Sequence, residues 1–379
     1  MITVKKIWPL FLLFVFVTCS EKRTESEGER KDSPWIMGFS KHEVNPIMRA
    51  DSTFKFVCPV TGREVQWQKA DVFNPGAVVR GDSVYMLFRA EDDPDAYLGG
   101  RTSRIGLAAS ADGVHFTKRS QPALYPDSSR FMQWDYPGGC EDPRVVEAED
   151  GTYVMTYTSW NRDLARLTAA TSKDLVHWEK QGPVFEDAYE GKFLDTWSKS
   201  GSIVVKKDKG RLVAAKINGK YWMYWGEQFV NVAWSENLTD WTPLLNEKGE
   251  LLNSMAPRVG AFDSFLTEPG PPALLTDQGI ILFYNGKNDE GDKASDEIAR
   301  GTYCGGQALF DKTDPSRFIQ RMDKPFICPD LPHEITGQYK AGTTFIEGLV
   351  WFKGRWLLYY GTADSMVGLA VVSEEVDSR

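Results

Sequence analysis

The residues of this 379-residue chain that could do chemistry are mostly carboxylates, set in short polar breaks between apolar, strand-like segments. The breaks are Asn74-Pro75-Gly76, Arg89-Ala90-Glu91-Asp92, Ser103-Arg104-Ile105-Gly106, Gly139-Cys140-Glu141-Asp142-Pro143-Arg144, Trp225-Gly226-Glu227, Phe262-Asp263-Ser264, Thr267-Glu268-Pro269-Gly270 and Tyr360-Gly361-Thr362-Ala363-Asp364. There is no HExxH, no GxSxG and no P-loop, and the four histidines, His42, His115, His177 and His333, form no plausible pair with a cysteine. Acid–base work therefore falls to Asp and Glu. Two carboxyl groups flanking a glycosidic bond are the usual apparatus for cleaving one. No metal-ligand spacing or cofactor motif is present, so neither a metal nor a cofactor is expected.

The elements that must position these groups follow from an internal repeat. GLAASADGVHF from Gly106, TAATSKDLVHW from Thr168, NVAWSENLTDW from Asn231, GQALFDKTDPSRF from Gly306 and GLAVVSEEV from Gly368 share one pattern of strand, polar residue, turn and aromatic. The repeat is roughly sixty residues long. Its aligned polar positions are Ser110, Ser172, Ser235, Asp311 and Ser373, and His115 and His177 share one turn position. Between the copies lie alternating strand pairs with hairpin signals at Asp150-Gly151, Asn218-Gly219 and Lys353-Gly354. No long stretch has a helical period. Four strands per repeat and five repeats predict an all-β, five-bladed β-propeller as one catalytic domain over residues 35–379. Nearly every repeat supplies one polar break, as expected if the blades converge on a central pocket. Lys199 and Lys216, in inner-strand segments, are further candidates to line it.

A net charge of −9 argues against a nucleic-acid partner. Residues 1–19 read as a signal peptide, with Lys5 and Lys6 before an apolar run from Ile7 to Val17. That run is shorter than the roughly 20 residues a membrane span needs. Cys19 follows, at the place where a bacterial lipoprotein is cleaved and acylated, and residues 20–34 form a charged tether. The expected location is the bacterial cell envelope, with membrane contact only through the lipid on Cys19. Cys58, Cys140, Cys304 and Cys328 allow three pairings or none, and the sequence does not choose.

GGCEDPRV at Gly138–Val145 resembles glycoside hydrolase family 130, the β-mannoside phosphorylases and β-1,2-mannosidases. Supporting matches are Leu87-Phe88-Arg89-Ala90-Glu91, Ser103-Arg104-Ile105-Gly106, Pro257-Arg258 with Phe262-Asp263, Gly270-Pro271-Pro272, and Tyr359-Tyr360-Gly361 with Asp364. The resemblance implies a five-bladed propeller and cleavage of β-mannosides with inversion. It implies that Asp142 is the proton donor, acting through the mannose 3-hydroxyl, and that Asn74, Arg89, Arg104, Asp263 and Asp364 contact the mannose.

Three positions depart from the phosphorylase pattern. Tyr284-Asn285-Gly286 stands where phosphorylases have Tyr-His-Gly, Gly226-Glu227 replaces an Arg-Pro, and Glu268 lies where a basic residue precedes Gly-Pro-Pro. Two like charges 4 Å apart repel by about 4 kcal/mol at an effective dielectric near 20, so phosphate should bind poorly there. Glu227 and Glu268 are instead the candidates to activate and orient water, in either order, with Tyr284 and Asn285 beside the substrate. The sequence thus points to an inverting, exo-acting β-1,2-mannosidase acting on mannan oligosaccharides. A phosphate-dependent β-mannoside phosphorylase and a non-catalytic glycan-binding lipoprotein are the alternatives.

Overall fold

A computed structural model describes residues 33–97 and 99–373. Cys19, the signal peptide and nearly all of the tether lie outside the described residues. The described chain is almost wholly β: its helices are one turn at Met132–Asp135 and a 3-10 turn at Pro332–Glu334.

The strands form successive antiparallel groups. Asp71–Arg80, Ser83–Glu91 and Ser103–Ser110 make the first, with Thr117–Lys118 at its edge. Gly139–Glu147, Tyr153–Trp160, Ala165–Ser172 and Glu179–Pro183 make the next. Ser202–Asp208, Lys220–Trp225, Val230–Ser235 and Thr242–Pro243 follow. Leu266–Pro269 and Ala273–Leu275 pair with Ile280–Lys287, which leads to Tyr303–Phe310 and Phe318–Arg321. Thr344–Phe352, Arg355–Thr362 and Met366–Ser373 complete the series, and Ser40–Lys41, from the other end of the chain, adds the outer strand.

The repeated polar residue proves to be a turn clamp. The hydroxyls of Ser110, Ser172 and Ser235 accept the backbone N–H three residues on, at 2.9, 2.8 and 2.9 Å. Asp311 does the same with its carboxylate, at 3.0 Å from the Asp314 N–H. Such local bonds satisfy backbone donors where the ladder ends. His115 and His177 are exposed turn residues, as expected, each with Nδ1 against Asp112 or Asp174 at 2.8 and 2.7 Å. Trp178 and Trp241 donate back to Leu175 and Leu238 at 2.9 and 3.0 Å, so the aromatic that ends the repeat packs under its own turn.

The first strand of several groups is interrupted at one comparable point. The register shifts between Phe73 and Pro75, between Glu141 and Arg144, and between Ile346 and Gly348. Asn74 and Asp142 take positive φ values of 47° and 51°, and Ser200 takes 58° just before its strand begins. A bulge re-aims a side chain that regular alternation would bury in the sheet. These strands also approach one another closely: a Cβ on Gly76 would sit 2.3 Å from the Pro143 carbonyl oxygen, and one on Gly348 2.6 Å from that of Pro75. Only glycine permits the approach. Apolar clusters rich in Val, Leu and aromatics fill the space between sheets. Cys304 and Cys328 form a disulfide, while Cys58 and Cys140 are free and buried.

Candidate active site

The bulges bring the polar breaks of separate strands together. Asp142 is buried, and its Oδ1 accepts hydrogen bonds from Asn74 Nδ2 at 2.8 Å and Arg89 Nη1 at 3.2 Å. Its Oδ2 lies 4.0 Å from Lys199 Nζ. Burial raises the Asp142 carboxyl, but Arg89, Lys199 and the Asn74 amide outweigh it and bring the pKa down to about 2.

Arg89 is the hub of this side. Its guanidinium lies 2.7 Å from Glu91, 2.8 Å from Glu141 and 3.2 Å from Asp142. Glu141 also accepts from Ser103 Oγ at 3.1 Å. Burial, opposed by Arg89 and assisted by the neighbouring Asp142 charge, raises Glu141 to about 7. Asp364, at φ 52°, is raised to about 6 by burial, with Arg89 opposing and Asp142 assisting.

Glu268 and Glu227 meet Lys199 from the other side. Lys199 Nζ is 3.8 Å from Glu227 Oε1. The lysine is raised above its ordinary value because Glu227, Glu268 and Asp142 outweigh the cost of burying it. Glu268 is buried and accepts a hydrogen bond from Ser200 Oγ. Desolvation pushes it up to about 7, opposed by Lys199 and assisted by Glu227. Glu227 is about one-third exposed and takes the Trp197 indole N–H on Oε2 at 2.7 Å.

Asp142, Glu227, Glu268, Asn74, Arg89, Lys199 and Asp364 therefore share one electrostatic network. The other predicted residues make none of these contacts. Lys216 is exposed in a hairpin with its ammonium 4.9 Å from the Tyr221 ring centroid, because alternation turns Ile217 inward in its place. Arg104 is committed to Asp92 at 2.8 Å and covers the Phe56 ring. Asp263 is enclosed by Arg258, Arg321 and the Tyr284 hydroxyl at 3.0, 3.2 and 2.8 Å, so Asp263 and Tyr284 form a buried structural knot. Asn285 stands opposite Glu268 in the ladder, but its amide binds the Ile346 backbone in both directions, at 3.0 and 2.7 Å.

Sequence reasoning also missed residues. Arg144 donates to the carbonyls of Gly270 and Pro269 at 2.8 and 2.9 Å and lies 3.4 Å from Glu347, joining its own bulge and that of Glu347 to the end of the Leu266–Pro269 strand. Glu347 is fully buried at its own bulge, and desolvation raises it well above the ordinary carboxylate range. Its signal was available: a lone acid in the apolar strand TFIEGLVWF, breaking alternation as Asp142 does. Trp197 is 46% exposed, and its spacing gave no warning of its contact with Glu227.

A sequence profile of glycoside hydrolase family 130, described as beta-1,4-mannooligosaccharide phosphorylase, matches residues 39–377. The chain belongs to that family. It is 29% identical over 316 residues to a 1,2-beta-oligomannan phosphorylase of Thermoanaerobacter sp. (strain X514), covering 82% of this chain and 92% of that protein. A crystal structure from Bacteroides thetaiotaomicron superposes with a TM-score of 0.88 at 52% identity, covering 89% of this chain and 97% of that one. A second structure has a TM-score of 0.89 at 47% identity and covers 90% of this chain and 96% of its own. It was described with the statement that family 130 contains glycoside hydrolases that target beta-1,2 mannosidic linkages in Candida mannan.

Proposed function

We propose that this chain is an inverting, exo-acting β-1,2-mannosidase on a five-bladed β-propeller, displayed at a bacterial cell envelope through a lipid on Cys19. The observation that carries the activity is the state of Lys199. This cation lies among the carboxylates, and Asp142, Glu227 and Glu268 already neutralise it. A phosphate dianion arriving there would meet more negative than positive charge, whereas neutral water would not be repelled. The similarity at 47% identity to a structure described with β-1,2-mannoside hydrolysis supports the same reading. The succession of four-stranded antiparallel groups supports the propeller.

In this mechanism Glu268 is the base. It is buried and has a pKa raised to about 7, close to the operating pH at which a general base works best. It takes a proton from water as the water oxygen attacks the anomeric carbon. Glu227, fixed by Trp197 and Lys199, orients that water. As the glycosidic C–O bond breaks, the mannose 3-hydroxyl gives its proton to the leaving oxygen and is reprotonated from Asp142. Asp142 alone is held ionised, but it shares Arg89 with Glu141, and the two titrate as a pair that keeps a proton near neutral pH. Asn74 and Arg89 hold the Asp142 carboxylate in place.

Phosphorolysis is the second reading, favoured by the phosphorylase names of the relatives near 29% identity and by Lys199 itself. Incubation with β-1,2-mannobiose, with and without phosphate, separates the two. Release of α-mannose in phosphate-free buffer, followed by NMR, is expected; mannose 1-phosphate as the main product would overturn hydrolysis. For the anchor, cells fed a palmitate analogue should label the wild-type protein and not Cys19→Ala.

A further inference from the structure

Trp197 combines features that packing alone leaves without a purpose. Its side chain is nearly half exposed, although burying an indole is strongly favourable. It is nevertheless held in place. Its Nε1 donates to Glu227 at 2.7 Å, and its ring meets Trp160 edge-on, with centroids 5.9 Å apart and planes at 70°. Trp160 is fixed in turn by the Gly99 carbonyl at 3.1 Å, and it packs on Gly138, where a Cβ would lie 2.1 Å from the indole. Tyr97, 75% exposed, rests its ring against Gly100 on the same loop. The edge and the N–H of Trp197 are used, and the remaining ring surface is open beside the carboxylates.

We propose that Trp197 is the stacking platform for the sugar ring that follows the reacting mannose, and that its N–H at the same time holds Glu227 in its working orientation. An aromatic face offers apolar surface to the C–H face of a pyranose while leaving the hydroxyls free for water or protein donors. An exposed ring that is already immobile loses little side-chain entropy when a sugar lands on it. One rigid residue thus joins recognition of the second sugar to the geometry of the attacking water. The single reacting mannose lies deeper, against Asn74, Arg89 and Asp142, and does not need the platform.

This inference rests on the mannoside reading above, but its test is separable from the choice between water and phosphate. The KM for β-1,2-mannobiose and the inhibition constant of free mannose are measured for wild type, Trp197→Ala and Trp197→Phe, with phosphate present or absent. Trp197→Ala should raise the KM about tenfold, which is about 1.4 kcal/mol of lost contact, and leave mannose inhibition within about twofold. Trp197→Phe keeps a ring but has no N–H. It should restore KM to within about threefold of wild type while kcat stays about tenfold low, because Glu227 has lost a charge-assisted hydrogen bond. A general loss of structure would move both sugars together and would not be rescued by Phe in KM alone. An unchanged KM in Trp197→Ala overturns the proposal, as does an equal weakening of mannose or a wild type that does not cleave mannobiose at all. A phosphate requirement with the predicted KM pattern overturns hydrolysis and leaves the platform standing.

Discussion

Asp142 and Glu268 are both buried carboxylates at breaks in first strands, both lie near Lys199, and yet they are driven in opposite directions. Asp142 accepts from Arg89 and Asn74 and is brought to about 2, while Glu268 has Ser200 as its side-chain donor and is raised to about 7. Desolvation acts on both. What differs is the number of charged and amide donors that reach each carboxylate, so local partners and not depth decide the sign of the shift. Asp142 therefore needs its neighbour Glu141, raised to about 7, to keep a proton in the pair near neutrality, whereas Glu268 titrates there on its own.

The strongest way to break this comparison is Asp142→Asn. It should lower kcat on β-1,2-mannobiose by about 10³–10⁴-fold, at the upper end of what acid–base groups contribute, with a melting temperature close to wild type. A near-normal kcat would remove Asp142 from the chemistry. Glu268→Gln should follow, at about 10²–10³-fold. Because a base works only when ionised, wild-type activity should rise with pH through about 7, and this limb should vanish in the variant. The stability effect runs the other way. A carboxyl whose folded pKa is raised contributes stability below its unfolded pKa and loses it as pH rises through the folded value. Glu268→Gln should therefore melt higher than wild type at pH 8, and an equal or lower melting temperature would contradict the buried charge.

Lys199→Met sharpens the comparison. Lys199 lowers Glu268, so its removal should shift the acid limb to higher pH by about one unit, read from kcat against pH. An unmoved limb would show that Lys199 does not act on the base. The smallest effect is expected from Lys216→Ala. This exposed residue touches none of the carboxylates, and kcat and KM should stay within about twofold. A larger loss would return it to the site.

The legibility of this molecule follows the range of its interactions. Turn clamps at Ser110, Ser172 and Ser235 were readable as a repeat because each is closed by a donor three residues away. Asn74 and Asp142 were readable as breaks in alternation, and their bulges are what that break means in space. The protein partners of Asp263, Tyr284 and Asn285 were not legible, because Arg321 and the Ile346 backbone among them are distant in sequence. Lys216 was misread through a one-residue phase in a short hairpin. The disulfide between Cys304 and Cys328 depended on strands that only the fold brings together.

Ser40–Lys41 pairs with Ala370 and Val371, and the His42 and Ile47 N–H groups bond the carbonyls of Leu369 and Val367. This junction has a kinetic meaning. The contact between the two ends of the domain cannot form until almost the whole chain is present, and closing so long a loop is entropically costly before any bond rewards it. During synthesis Ser40–Lys41, made early, must therefore wait unpaired until the last sheet, Thr344–Phe352 to Met366–Ser373, has been made. Completion of the fold is a late event that a C-terminal truncation before Met366 would abolish.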